Sequence, residues 1–187
     1  MSKLKNLKKN VTNMILTFNQ LRDIYPFARP QKINDFLPFI NKYSSQYEVN
    51  TRLRMSAFLA QIGHESGQLK FTEEIADGSA YEGRVDLGNL FKGDGKRYKG
   101  RGLIQITGRA NYKDISDDLG IDFIKYPEKL SEPELSVKSA YWFWNRQKLN
   151  ILADQQDFKR ITKLINGGYN GINDRYALYE KALKILK

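Results

Sequence analysis

The chain has 187 residues, enough for one domain with a sizeable buried core, and its apolar and charged fractions of 41% and 28% exclude wholesale disorder. It contains no cysteine, so disulfides and thiolate metal sites are excluded, and its single histidine rules out the H-E-x-x-H zinc arrangement. The formal charge of +10 favours encounter with anionic partners without choosing among nucleic acid, anionic lipid and acidic cell-wall polymers.

The N-terminus, MSKLKNLKKN, is basic, and the stretch after it is interrupted by Thr12, Asn13, Thr17, Asn19 and Gln20. It reads as a basic lead (residues 1–10) into a helix rather than as a signal peptide. Val11, Met14, Ile15, Phe18 and Leu21 predict that helix over about 10–23. A second helix begins beside Pro30, with Ile33, Phe36, Leu37 and Ile40 on one face and Pro38 as a threat to its interior. The segment NTRLRMSAFLAQIGHESG is the clearest helix, capped by Asn50 or Thr51 and ended by Gly67.

Residues 76–100 hold six glycines with Asp77, Asp86, Asn89 and Asp94, which predicts a long irregular region with a small hairpin at most. Helices resume at 110–119. Ser131, Pro133 and Glu134 read as a capping box opening a helix with Val137, Ala140, Tyr141 and Trp144 on one side. Trp142 and Trp144 belong to the core of that helix. Two more helices follow, over 155–165 and 174–186, joined at a bend containing Gly167, Gly168 and Gly171. The last of these uses Tyr176, Tyr179, Leu183 and Leu186. No repeat or linker divides the chain, so residues 1–187 read as a single, mainly α domain.

Glu65 stands out because Phe58 and Ile62 precede it at helical spacing, placing a carboxyl on an apolar face in a last turn. Burial disfavours a charged carboxylate, and a carboxyl that keeps its proton suits general-acid work. The bland alternative is a boundary residue paired with a basic neighbour. His64, beside it, either orients this turn or touches substrate. A Ser-His-Asp triad lacks a G-x-S-x-G elbow. Glu73 and Glu74 follow the helix, and the chain can fold back to set one of them across a cleft. Two carboxyl groups flanking a glycosidic bond are the minimum for its acid–base cleavage.

From Lys92 to Lys113 the chain carries seven basic residues and one acid, Asp94. Gly95 and Lys96 are followed by Arg97, which breaks the P-loop pattern. Tyr98 and Tyr112 among these cations would suit single-stranded nucleic acid. Gly100 and Gly102 flank Arg101, where backbone approaches backbone or ligand closely. Gln105, Thr107 and Asn111 offer neutral donors and acceptors that suit sugar hydroxyls and N-acetyl groups better than phosphate.

The ordered set FLAQIGHESG, LKFTEE, YKGRGLIQITGRANY and LINGGYNGINDRYALY resembles glycoside hydrolase family 19, the chitinase-like family that includes phage endolysins, over about residues 50–180. The resemblance implies a lysozyme-like, two-lobed helical fold with a central cleft, and an inverting reaction without metal or other cofactor. By position it implies Glu65 as general acid and Glu74, rather than Glu73, as general base. Thr107 helps hold the attacking water, while Gln105, Asn111 and Asn166 contact substrate and Arg175 pairs with the acid. Asn170 stands where plant members carry a further glutamate, so the network around the acid is simpler. The disulfides and extra loops of plant chitinases are absent.

On this resemblance Glu65 protonates a β-1,4 oxygen, Glu74 with Thr107 activates a water, and His64, Tyr81 and Tyr98 contact the sugar, the tyrosines by stacking. The charge tips the expected substrate toward peptidoglycan glycan strands, cut as a muramidase or endolysin cuts them. The basic surface would then touch an anionic envelope. The expectation includes no specific nucleic acid, a monomer, synthesis in a bacterial host cytoplasm, and access to the wall once partner proteins permeabilise the membrane. An endochitinase acting on N-acetylglucosamine polymers and a non-catalytic binder of polyanions or glycans are the rival readings.

Overall fold

The computed structural model describes residues 14–187, and the basic lead lies outside them. Nine α-helices are present among these residues: α1 Phe18–Ile24, α2 Pro30–Gln46, α3 Arg52–Glu65, α4 Asp94–Arg97, α5 Arg109–Leu119, α6 Pro133–Arg146, α7 Leu149–Asp154, α8 Phe158–Asn166 and α9 Ile172–Ile185. The described residues form no sheet. Among the described residues the only extended pairing is a pair of isolated bridges, Glu73 to Arg101 and Arg101 to Ile106. The fold is mainly helical, lysozyme-like and two-lobed.

The larger lobe is built on α3. Its residues from Met55 to Gly63 are all buried, and it packs most extensively on α9, while α2 packs on α6. Phe58 stacks on Tyr141 with centroids 4.1 Å apart and meets Trp144 edge-on at 5.4 Å. Fully burying each such side chain contributes about 1.5–3 kcal/mol. Thr51 caps α3 by accepting from the backbone N–H of Arg54. The smaller lobe is the irregular stretch, in which short 3₁₀ turns at Ser79–Tyr81 and Val85–Leu87 lead to α4 and then α5.

Several expected boundaries shift for identifiable reasons. The first helix starts at Phe18 because Thr17 and Gln20 form a capping box there; residues 10–13 of the expected helix lie outside the described residues. Pro38 does not break α2, which runs through it to Gln46. The capping box expected at Ser131 does not form. Ser131 belongs to a 3₁₀ turn, its Oγ is buried without a partner, and Glu132 is the N-cap. Glu134 instead accepts from Lys42 Nζ at 2.6 Å and Tyr43 Oη at 2.7 Å, tying α6 to α2. The helix expected over 155–165 starts instead at Phe158 as α8, because Asp157 caps it through Arg160 N, and a short helix that was not expected, α7, precedes it. The buried face of α9 is Arg175, Leu178, Tyr179 and Ala182, so Tyr176 turns outward.

Candidate active site

The end of α3 and the chain that folds back from it make one open cleft of about 260 Å³, walled by Glu65, Phe71, Glu73, Glu74, Ile75 and Gln105. Glu65 is the last residue of α3. Its Oε1 accepts from Arg175 Nη2 at 2.5 Å. Arg175 sits in the first turn of α9, fully buried. Each face of its guanidinium edge is used: Nη1 donates to Gln61 Oε1 at 2.5 Å and Nε to the carbonyl of Asn170 at 3.1 Å. Gln61 stands one helical turn before Glu65 and donates in turn to Thr162 Oγ1 at 2.9 Å. The cation beside Glu65 is therefore held from α3, α8 and the turn before α9 at once.

Glu74 is held differently. Its backbone N–H donates to Gly100 O at 2.8 Å, the outer link of the bridge between Glu73 and Arg101. Its Oε1 accepts from Tyr81 Oη at 2.9 Å and its Oε2 from Gly100 N at 3.2 Å. Partial burial, and then the bond to Glu74, raise the Tyr81 phenol above its usual range, which keeps it a donor. Tyr81 is itself pinned. Its carbonyl accepts from Asn89 Nδ2 at 2.9 Å, and Asn89 Oδ1 accepts from the N–H of Arg109 at 2.8 Å. A hydrogen-bonded line thus runs from the start of α5 through buried Asn89 and Tyr81 to the carboxylate.

Gly100 is where the cleft is tightest. A β-carbon there would lie 2.6 Å from Gln105 Oε1 and 3.3 Å from both Glu74 Oε2 and Thr107 Oγ1. Thr107 is therefore beside Glu74, with its hydroxyl donating to Gln105 O at 2.9 Å. Gln105 has φ of +58° and donates through Nε2 to Gly102 O at 3.0 Å. Asn111 is exposed and donates to Thr107 O at 2.7 Å.

Glu73 also faces the cleft, but Lys99 Nζ lies 3.0 Å and Arg101 Nη2 3.2 Å from its Oε1. Burial pushes its carboxyl up, yet these two cations outweigh that and hold it below the usual carboxylate range. It is a neutralised anion with both partners in place.

The remaining sequence-selected residues divide. His64 Nδ1 is 2.6 Å from Asp174 Oδ2, and a side chain at Gly171, whose φ is +69°, would run into the imidazole. Asn166 Oδ1 accepts from Asn170 N at 3.2 Å, so this pair shapes the turn that offers its carbonyl to Arg175. Tyr98 does not face the cleft: it is 1% exposed, packs on Tyr112 and donates to Ile124 O, so it presents no face for a sugar. The same burial of Tyr98 and Tyr112 removes the stacking platform that single-stranded nucleic acid would need. Tyr81 engages Glu74 through its hydroxyl. Gln61, Phe71 and Asn89 were not singled out in the sequence. Only Gln61 leaves a readable trace there, as an amide four residues before Glu65 inside an otherwise apolar run.

Comparison with known proteins gives a consistent family. The family model described as Chitinase class I, Glyco_hydro_19, matches residues 36–156. A Haemophilus influenzae glycosyl hydrolase family 19 domain-containing protein is 35% identical over 159 residues, spanning 68% of this chain and 78% of that protein. An Arabidopsis thaliana endochitinase is 33% identical, spanning 71% of this chain and 46% of that protein, so the chain covers about half the length of this plant relative. The solved class IV chitinase from Zea mays superposes with a TM-score of 0.71 at 23% identity, over 92% of each chain, a likeness of fold. These matches overturn the expectation of an endolysin or muramidase with peptidoglycan strands as partner, because the family model is that of class I chitinases and the plant relatives are endochitinases. That expectation rested on net charge, which governs encounter and not the sugar read at a site. With the helical two-lobed fold and the paired carboxyl groups in place, the chain belongs to glycoside hydrolase family 19.

Proposed function

We propose that the protein is an endochitinase, hydrolysing β-1,4 bonds between N-acetylglucosamine units with inversion at the anomeric carbon. The observation that carries this reading is the asymmetric treatment of two carboxyl groups on one cleft. Glu65 is gripped by one buried guanidinium, whereas Glu74 accepts two neutral hydrogen bonds, from a phenol and a backbone N–H. In this reading Glu65 protonates the leaving oxygen. Arg175 then restrains the carboxylate that remains. Glu74 takes a proton from water as it attacks the opposite face of the sugar, with Thr107 beside it to orient that water. Gln105 supplies an amide on the cleft wall for an N-acetyl or hydroxyl group. The names of the curated relatives and the family model support a chitin substrate.

The test is hydrolysis of N-acetylglucosamine oligomers followed by proton NMR before mutarotation. The α-anomer should appear first, and Glu65→Gln should lose turnover while keeping its helical circular dichroism. Initial β-anomer would refute inversion, and an active Glu65→Gln would remove the acid from this position.

A further inference from the structure

Glu74 sits on a segment with no regular structure of its own. Residues 73–76 belong to no helix, and their one extended link is the bridge from Glu73 to Arg101. Ile75, next to Glu74, is 82% exposed, so no core packing anchors the backbone from that side. A carboxylate that takes a proton from a positioned water tolerates little drift, since a misplacement of about 1 Å can cost about a hundredfold in rate. The peptide that carries it must therefore be held by other means.

Lys99 is placed to hold it. Its side chain is largely buried, and Nζ lies 3.0 Å from Glu73 Oε1, 3.1 Å from the carbonyl oxygen of Glu74 and 3.5 Å from that of Ala76. The three donors of one ammonium meet three acceptors on one short stretch of chain. Among the described residues, neither carbonyl accepts from any other group. The lysine is itself fixed. Its own carbonyl accepts from Tyr112 Oη at 2.7 Å, and a β-carbon at Gly78, whose φ is +82°, would lie 2.8 Å from Lys99 Cβ, so the stem runs tight against that turn. Glu73 is fixed too, by Arg101 Nη2 at 3.2 Å, and Arg101 is tied through Nη1 to Arg97 O at 2.8 Å and Tyr112 Oη at 3.0 Å. With Gly100 taking the N–H and one carboxylate oxygen of Glu74, the consecutive residues Lys99 and Gly100 engage Glu74 at its N–H, its carbonyl and its side chain.

We infer that Lys99 is a positioning residue for the base: its ammonium, seated by Glu73, fixes the Glu74 and Ala76 carbonyls and through them the direction in which the Glu74 carboxylate faces the cleft. The inference rests on the reading of Glu74 as general base. It acts through Glu74 and not on the sugar. It also gives a task to Glu73, an acid that faces the cleft without joining the chemistry, since the Glu73 oxygen seats the ammonium against the two carbonyls. A neutral amide oxygen at that position still accepts, so Glu73→Gln keeps the arrangement, whereas loss of the charged donor does not.

The chain contains no cysteine, so Lys99→Cys introduces a unique thiol. 2-Bromoethylamine alkylates its thiolate, the sulfur displacing bromide, and restores an ammonium on a side chain of lysine's length. Methyl methanethiosulfonate caps the same sulfur with a neutral methylthio group, methanesulfinate leaving. The experiment measures kcat and KM on N-acetylglucosamine hexamer, with circular dichroism, for the wild type, Lys99→Cys and both capped forms, and runs Glu74→Gln beside them. Lys99→Cys should lose roughly ten- to a hundredfold in kcat, the worth of a hydrogen bond from a charged donor, with KM within about twofold and the helical signal kept. Aminoethylation should recover most of the loss and methylthiolation little of it. A wild-type kcat in Lys99→Cys, or equal recovery or none with both caps, would overturn the inference. So would a lost helical signal, which would make Lys99 a support of the fold. In each of these cases an inactive Glu74→Gln leaves the base standing. An active Glu74→Gln would remove the base, and the task of Lys99 with it.

Discussion

Arg175 Nη2 lies 2.5 Å from Glu65 Oε1, and of the two partners the cation is the buried one while the carboxylate opens onto the cleft. That polarity dictates what mutation does. Arg175→Ala strands Gln61 Oε1 in the core and removes the charge facing Glu65. Breaking a buried pair by deleting one partner costs roughly 3–5 kcal/mol. Arg175→Lys should recover only part, because one ammonium cannot serve Gln61, Asn170 and Glu65 together. Urea unfolding of the three proteins checks this, and a loss below about 1 kcal/mol in Arg175→Ala would be incompatible with a load-sharing role.

The two glutamates after α3 should separate cleanly. Glu74→Gln is expected to abolish turnover, since an amide takes no proton from water. Glu73→Gln should be mild in activity, because Glu73 is already neutralised by Lys99 and Arg101. A dead Glu73→Gln beside an active Glu74→Gln would reverse the assignment of the base.

Tyr81→Phe tests the line from α5 to the base. The variant keeps the ring and loses the 2.9 Å bond to Glu74. A hydrogen bond to a charged group is worth about 1.5–3 kcal/mol, so a fall in kcat of roughly ten- to a hundredfold is expected. The discriminating readout is the split between kcat and KM alongside circular dichroism: kcat should fall while KM and the helical signal stay near the wild type's. A wild-type kcat in Tyr81→Phe would mean that this hydrogen bond does not support Glu74 in turnover.

What could be read from the chain alone follows from how local each feature is. The helix ending in Glu65 was legible because its cap, its apolar spacing and its terminating glycine all lie within 18 residues. Trp142 and Trp144 were legible as core for the same reason. Tyr98 was misplaced because its surroundings resemble a ligand-binding composition; only the tertiary fold reveals that Tyr112 and the Ile124 carbonyl enclose it. Asn89 sat among turn-forming residues, and nothing in that stretch shows that it joins Tyr81 to Arg109, twenty residues on. The Ser131 box failed because Glu134 found Lys42 and Tyr43 on another helix. Long-range polar pairing, invisible to periodicity, accounts for these differences.

Gly100→Ala should injure catalysis more than folding. The glycine's backbone is not left-handed, so alanine meets no conformational barrier there; the obstacle is the 2.6 Å approach to Gln105 Oε1. The amide must swing out of the cleft, and Glu74 and Thr107, each at 3.3 Å, must give way as well. Displacements of this size can cost about a hundredfold in rate. Kinetics alongside thermal melts would show the split, and an alanine variant with wild-type kcat would mean that the Gln105 position is not critical.

Asp94 sets an acid limit on the smaller lobe. Its side chain is only 2% exposed and receives Arg109 through two bonds, Nε to Oδ2 at 2.8 Å and Nη2 to Oδ1 at 2.6 Å. The guanidinium holds its carboxyl below the usual range, with the Phe91 backbone N–H helping and burial opposing. A folded value below the unfolded one, about 3.9, means the native state favours the ion. The contribution is therefore complete above that unfolded value and drains away as pH falls through the folded one. Asp94→Asn should flatten this part of the stability–pH curve, lowering stability at pH 7 while narrowing the gap between pH 7 and pH 3. Because Arg109 also donates through its backbone to Asn89, and Asn89 steadies Tyr81, the same variant should slow turnover at neutral pH without touching substrate. Parallel unfolding curves at both pH values for wild type and variant would show that the pair carries no pH-dependent stability, and that the anchor of this lobe lies elsewhere.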